Sequence, residues 1–187
     1  MVDRFDGTIK LDELLAPFKI DSHPSLVGKP KMFILQACRG YKLDKGVGIP
    51  PLVLPHDPRA RRIPTDACST VPGYVPFPSN SARRIPSEAD FLFGYSTAPG
   101  FVSFRNDAGS HYIQAFARRV ERAYLKNQSD ARPPQERHVD LLALLLGVSY
   151  DVAHSFTARS DSPTVHGSVQ APAVEGTITR SIKFPIV

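Results

Sequence analysis

A cysteine directly after a short apolar run is the residue of this sequence best suited to chemistry. Residues 33–44 read FILQACRGYKLD, which puts Cys38 beside Gln36, Arg39 and Gly40. A cysteine that closes an apolar strand is most often a small buried hydrophobe, and the alternative is a nucleophile. A nucleophilic thiol needs a neighbouring base, because a free thiol has a pKa of about 8.5.

Candidate bases come from six histidines, which are His23, His56, His111, His138, His154 and His166. His23 lies 15 residues before Cys38, in the turn that enters the same apolar strand, and Pro24 follows it. We treat His23 as a minor candidate base, because an ordinary turn residue is the simpler role for a histidine in that position.

Apolar patterns predict the elements that position Cys38. Residues 32–35 form one continuous apolar run and ADFLFGYST forms another, as in parallel strands buried on both faces. Helical spacing predicts helices at about 8–18, 110–126 and 139–156, with Ser110 as an N-cap. The tail from Thr177 to Phe184 alternates apolar and polar residues, which predicts a strand with one buried face. Strands and helices in this order indicate an α/β fold.

Charge and proline content set residues 45–86 apart. This segment holds nine of the 18 prolines, and its six basic residues against two acidic ones account for nearly all of the net charge of +5. Prolines at this density block helices and remove strand donors, so we predict an extended linker. A nucleic-acid patch is the alternative, but no aromatic stacking platform accompanies the charge, so we expect no nucleic-acid partner.

Composition excludes several further classes of protein. At 187 residues and 42% hydrophobic content, the chain can bury the core of one domain. No apolar run approaches the ~20 residues that span a bilayer, and a charged start argues against a signal peptide, so we expect no membrane partner. Cys38 and Cys68 form neither a disulfide framework nor a zinc spacing. We therefore expect no metal, no cofactor and a cytoplasmic location.

Four blocks of the sequence resemble the caspases, the cysteine peptidases that cleave after aspartate. QACRG at residues 36–40 fits the family pattern Q-A-C-[RQG]-G in full. SLVGKPKMFILQACRG is similar to the strand before the catalytic cysteine, and IPSEADFLFGYSTAPGFVSFRND to the opening of the small subunit. GSHYIQAF is similar to the helix start that follows, and SIKFPIV to the closing strand.

The resemblance implies a caspase-like three-layer α/β/α sheet. It divides the chain into the C-terminal part of a large subunit at 1–44, an intersubunit linker at 45–86 and a small subunit at 87–187. Cys38 would be the thiolate nucleophile, and its backbone N–H would form half of the oxyanion hole. Gln36 and Arg105 would line the S1 pocket, where a guanidinium matches the two oxygens of a substrate aspartate.

The same resemblance assigns the remaining substrate contacts and the processing sites. Ser103, with Arg105, would bond the substrate backbone. Val102 and Phe104 would shape the S2 pocket, where the family commonly has two aromatics, so Val102 implies a wider pocket. The linker would be cut after Asp66, which a small alanine follows, or less readily after Asp44.

The sequence departs from the family at the general base. In caspases this base is a histidine before a glycine, roughly 50 residues upstream of the cysteine pattern. Counting back from Cys38 passes Met1, and the His166-Gly167 pair lies on the wrong side of the cysteine. We therefore expect a truncated chain that lacks this histidine, the second oxyanion donor, an S1 arginine and the N-terminal strands.

Two functions remain open from the sequence. The chain is either a truncated form of a cysteine endopeptidase that executes apoptosis, inactive alone, or a catalytically dead homologue that binds and regulates a complete caspase. In both cases the resemblance implies a homodimer or a heterodimer with a caspase through the C-terminal strand.

Overall fold

The computed structural model describes residues 10–47, 85–128 and 137–185. The described residues up to Gly46 and from Ile85 onward belong to one compact unit. Across those ranges, no helix has both the length and the apolar character needed to cross a membrane. Most of the predicted linker, including Asp66 and Cys68, lies outside the described residues, so the boundaries at 44 and 86 stay predictions.

Short strands and two longer helices make up this unit. In chain order they are α1 (Leu11–Leu15), β1 (Lys31–Leu35), β2 (Phe91–Tyr95), β3 (Arg105–Asn106), β4 (Gly109–Ser110), α2 (His111–Gln128), β5 (His138–Asp140), α3 (Leu141–Ser155), β6 (Ala173–Gly176) and β7 (Lys183–Pro185). Ser110 accepts a hydrogen bond from the Ile113 N–H at 3.2 Å, which confirms it as the cap of α2. The helix predicted at 8–18 is shorter in the structure, because α1 is followed at once by a 3-10 turn, Ala16–Phe18.

The central sheet has the order β1-β2-β6. β1 and β2 are parallel, as predicted, with Lys31 opposite Phe91 and Leu35 opposite Tyr95. β6 pairs antiparallel with the other edge of β2. Because parallel strands end at the same edge of a sheet, the segments after Leu35 and Tyr95 begin side by side. Cys38 lies in the first of these segments.

Helices cover both faces of the sheet, which gives the α/β/α layering. On one face, α2 and α3 pack against Ile34 and Leu92, and the core there includes Tyr112, Ala115, Leu145, Val148 and Val152. The other face carries a row of stacked rings, Phe33, Phe91, Phe93 and Tyr95, with adjacent centroids 5.6–6.1 Å apart. Phe18 packs edge-on against Phe33, with ring centroids 5.1 Å apart, and the buried Leu15 lines one pocket with three rings of this row.

The tail differs from the single strand predicted over residues 177–184. β6 ends at Gly176, before that range begins, and β7 pairs with β5 in a separate two-stranded sheet. Ile178 and Ile182 do pack against a cluster of buried leucines, the Leu92 cluster, which is Leu92, Leu141 and Leu145. Phe184, however, is 45% exposed. Between the strands, the Ile182 carbonyl accepts from the Leu141 N–H at 2.9 Å. The alternation predicted that these isoleucines face the core, where both are half-buried, but its prediction of one continuous strand was wrong.

Candidate active site

Two loops meet at the carboxyl edge of β1 and β2. The Arg39 N–H donates to the Phe101 carbonyl at 2.9 Å, and the Gly100 N–H donates to the Arg39 carbonyl at 2.8 Å. The Lys42 backbone continues the contact: its N–H donates to the Gly100 carbonyl at 3.0 Å, and its carbonyl accepts from the Val102 N–H at 3.0 Å. These bonds fasten the segment after Cys38 to the segment after β2.

Gly40 is required by this close approach. A Cβ atom at position 40 would overlap the backbone carbon and oxygen of Gly100. At the base of the loops, the Ser96 hydroxyl forms two hydrogen bonds with the Ala37 backbone. It accepts from the Ala37 N–H at 3.3 Å and donates to the Ala37 carbonyl at 3.2 Å. The glycine of QACRG therefore has a packing role beside the cysteine.

Cys38 is exposed and points at the backbone of Ser103. The Ser103 N–H donates to the Cys38 sulfur at 3.3 Å, and the thiol donates to the Ser103 carbonyl at 3.7 Å. The sulfur is thus held at the loop residue that the sequence assigned to the substrate backbone. Cys38 is not the buried hydrophobe that was the alternative.

Gln36 reaches the same serine from the other side. Its Nε2 donates to the Ser103 hydroxyl at 2.7 Å, and the Ser110 hydroxyl donates to its Oε1. The amide is therefore held at both ends. The structure brings Gln36, Cys38 and Ser103 together from residues 36–40 and 102–105, two segments that are far apart in sequence.

Arg39 faces the aromatic side of the sheet. Its guanidinium lies 3.8 Å from the Tyr95 ring centroid and 3.2 Å from Glu175 Oε1. Burial and the Glu175 charge raise the pKa of Tyr95, while Arg39 lowers it. The guanidinium next to Cys38 in sequence is therefore engaged with β2 and β6.

A cavity of about 660 Å³ is lined by three arginines, Arg105, Arg118 and Arg159, together with His111. None of the described residues that line it is acidic. Phe104 and Phe156 form an apolar wall, with ring centroids 5.2 Å apart. We call this space the cationic cavity. Arg105, the predicted S1 arginine, is exposed and lines this cavity, and Val102 is half-buried in the loop before it.

Sequence inspection missed Gln170, which supports the loop that carries Ser103. Its Oε1 accepts from the Phe104 N–H at 2.9 Å, and its Nε2 donates to the Ser96 carbonyl at 2.6 Å. The side chain is 1% exposed, so both bonds form away from water. A lone glutamine two residues before Pro172 and the start of β6 gives no signal of this role in one sequence.

No histidine contacts Cys38 in the part of the chain that the structure describes. His154 stacks on Tyr150, His111 lies against Phe156 and His166 bonds Ser160. His23 is exposed at the start of a 3-10 turn, and no side-chain hydrogen bond forms from it among the described residues. Over the same ranges, no group of three or more His, Cys, Asp or Glu could hold a metal ion.

Comparison with known proteins settles the family. A family model described as the caspase domain matches residues 2–182. The chain belongs to the caspase family. It is 32% identical to caspase-7 of Gallus gallus over 180 residues, 33% identical to caspase-3 of Oryctolagus cuniculus over 180 residues, and 32% identical to caspase drICE of Drosophila melanogaster over 181 residues.

Each of these alignments covers 96% of this caspase chain but only 44–52% of the relative. The crystal structure of caspase-1 from Spodoptera frugiperda is similar with a TM-score of 0.64 at 32% identity, covering 92% of this chain and 53% of that one. The chain therefore spans about half the length of the relatives that it matches, and it has the caspase fold over that half.

Proposed function

We propose that this chain supplies the nucleophile and part of the substrate cleft of a cysteine endopeptidase that cleaves after aspartate. One observation carries the proposal, namely that Cys38 and Gln36 both bond Ser103 at the edge of the parallel strands. In the family to which the chain belongs, these positions match a nucleophile, an S1 residue and a backbone contact for the substrate. The apoptotic role and the cytoplasmic location are part of the same proposal.

The chemistry follows from the groups at this edge. The Cys38 thiolate attacks the backbone carbonyl carbon of the substrate aspartate, and a C–S bond forms while the carbonyl oxygen becomes an oxyanion. The backbone N–H of Cys38 donates to this oxyanion. The C–N bond then breaks, and the amine leaves with the proton that a general base outside the described residues took from the Cys38 thiol. Water then hydrolyses the thioester, which releases the new carboxylate and restores the thiol. A substrate strand that bonds Ser103 must first displace the Cys38 sulfur, because the sulfur occupies both backbone groups of Ser103.

The cationic cavity supports an acidic substrate. Arg105 carries a forked donor that fits a carboxylate, and it lies next to Phe104 in the loop that holds Ser103. The three arginines among the described lining residues produce a field that favours negative side chains. The wider S2 pocket implied by Val102 belongs to this proposal as well.

We expect the isolated chain to have at most trace activity, because no described histidine serves Cys38. General-base assistance is worth roughly 10²- to 10⁴-fold in rate, and one oxyanion donor about 10²- to 10³-fold. The test is hydrolysis of a fluorogenic peptide ending in aspartate, with Cys38→Ala as the control. Turnover as fast as that of a complete caspase, lost in Cys38→Ala, would contradict the expected need for another base, and His23→Ala would then be measured.

Adding a second polypeptide separates the two candidate functions. Activity that appears only with a polypeptide carrying the His-Gly strand of a complete caspase supports the endopeptidase. Inhibition of an intact caspase on mixing supports a regulator instead. The regulator is favoured by the outer edge of β6, which no described strand covers.

A further inference from the structure

A lysine in the segment after the nucleophile reaches the loop that walls the cationic cavity. Lys45 lies seven residues after Cys38. Its Nζ donates to the Thr164 carbonyl at 2.6 Å and to the His166 carbonyl at 3.0 Å. An ammonium group has three donors, so one side chain can hold two carbonyls of the same turn at once.

Backbone contacts beside Lys45 strengthen this link. The Val169 N–H donates to the Asp44 carbonyl at 2.8 Å, and Asp44 and Val169 form an isolated antiparallel bridge. The Asp44 carboxylate accepts from the Gly46 N–H at 2.9 Å, which bends the chain just after Lys45. The ammonium and the bridge therefore attach residues 44–46 to both the turn and the end of the loop.

The loop at residues 158–168 is closed by its own backbone hydrogen bonds and lines the cavity. The Ala158 N–H donates to the Ser168 carbonyl at 2.7 Å, and the Gly167 N–H donates to the Ala158 carbonyl at 2.9 Å. Between these closures, Arg159 and Val165 line the cationic cavity. The position of the Arg159 charge therefore depends on where the turn at 161–167 is held.

We propose that Lys45 is a positioning residue, which fastens the turn at 161–167 and so sets the wall of the cationic cavity. The tether is a property of the fold and does not depend on the proposed function. Its use in placing a substrate-facing wall does rest on that function. An arginine at position 45 can donate to the same two carbonyls, whereas a methionine of similar length cannot.

Hydrogen exchange of the whole chain, without any substrate, tests the tether. Lys45→Met should raise exchange at the Val165, His166 and Gly167 amides about tenfold, because two charge-assisted bonds are lost at an exposed site. Lys45→Arg should stay within about threefold of the wild type at these amides, since its donors replace the ammonium. The rate of Cys38 alkylation by iodoacetamide should be unchanged, since neither bond of Lys45 involves the Cys38 loop contacts.

Lys42→Met is the matched control, because Lys42 lies in the same segment and its side chain forms no hydrogen bond or ion pair among the described residues. Exchange in Lys45→Met equal to the wild type would overturn the proposal, as would a rise that Lys42→Met reproduces. Faster exchange throughout β1 and α3, or faster Cys38 alkylation, would show a role in overall stability and would also overturn it. Since no arm uses turnover, failure of the tether and failure of the endopeptidase proposal give different results.

Discussion

Tyr112 carries its hydroxyl into the core between the sheet and α3. The residue is 0% exposed, and its oxygen has no hydrogen-bond partner among the described residues. Burial raises the pKa of Tyr112 to about 12. Space for the hydroxyl comes from Gly94 in β2, where a Cβ atom would lie 2.5 Å from the oxygen. The sequence thus combines a glycine in a strand with a polar atom in the core.

Removing this hydroxyl should stabilise the protein. Tyr112→Phe keeps the ring and eliminates a buried group without a partner, so we expect about 1 kcal/mol more stability and a Tm higher by about 2–4 °C. Thermal unfolding followed by circular dichroism measures the difference. Tyr150→Phe is the control, because Tyr150 is 61% exposed and its hydroxyl should contribute nothing. A lower Tm for Tyr112→Phe would mean that the hydroxyl has a partner.

At the scale of single residues, only site residues that are contiguous in the sequence could be predicted. QACRG is contiguous, so Cys38 and Gln36 could be named without a structure, and SFR identified Ser103 in the same way. Gln170 and Lys45 bond backbone groups more than 60 positions away. Every residue has such backbone groups, so the residue types do not indicate which of them is the partner. Contacts between two distant loops were therefore not predictable from the sequence.

Among the elements, the two apolar runs were the most informative. Both became strands of one parallel pair, because a run that is buried on both faces needs helices above and below it. The prediction for the tail was wrong because its period-two pattern continues through residues 178–182, which form no ladder with β2. Thr177 is the last residue bonded to β2, since its N–H donates to the Phe91 carbonyl at 2.8 Å.

The pair of helices α2 and α3 is joined by a charged contact that should respond to acid. Arg119 binds both oxygens of Asp151, at 2.6 and 2.5 Å. The hydrogen bond and charge of Arg119 lower the pKa of Asp151 below its ordinary value of 3.8. A lowered pKa means that the carboxylate stabilises the fold above about pH 4 and that this contribution is lost as pH falls through the lowered pKa.

Asp151→Asn should therefore lower the free energy of unfolding by up to about 1 kcal/mol at pH 7. The effect should almost vanish at low pH, where the wild-type carboxylate is protonated. Urea unfolding at several pH values between 7 and 3 gives the free energy of unfolding of the wild type and of the variant against pH. These two curves should converge below pH 4. Asp161→Asn is the control, because Asp161 is exposed and its side chain has no bond among the described residues. Curves that stay parallel down to pH 3 would contradict the role of this carboxylate.

The contacts of residues 44–46 also bear on processing. A protease binds an extended segment, but Asp44 is half-buried and fixed to Val169 and Gly46. We therefore expect an active effector caspase to cut after Asp66, where Ala67 follows, and to leave the bond after Asp44 intact. Mass spectrometry of the digest reports the ends. Asp66→Ala should then resist digestion, whereas rapid cleavage after Asp44 in that variant would refute the expected protection.

The molecule as a whole presents a small sheet with two outer strands. Within the described residues, β1 and β6 each have one neighbour in the sheet, and β2 lies between them. An uncovered edge has free N–H and carbonyl groups that another strand can pair with. The chain spans about half the length of each relative that it matches.

The resemblance implies association through the C-terminal strand, but the structure pairs β7 with β5, so we predict instead that two copies of the chain, or this chain and a complete caspase, associate through the outer edge of β6. The Thr177 N–H donates to the Phe91 carbonyl, and the register pairs Gly94 with Val174. Because bonding alternates along an antiparallel pair, the N–H of Val174 points to the outer edge. Val174→Pro removes that donor and puts a ring on the edge, while the bonds from β6 to β2 remain.

Sedimentation should accordingly show a dimer for the wild type and a monomer for Val174→Pro. Val174→Ala removes the side chain but keeps the edge donor, so it should remain dimeric and it controls for lost packing against the Leu92 cluster. Circular dichroism checks that the proline variant still folds. A wild-type chain that stays monomeric, both alone and mixed with a complete caspase, would rule out this interface, and so would a Val174→Pro dimer as tight as the wild type.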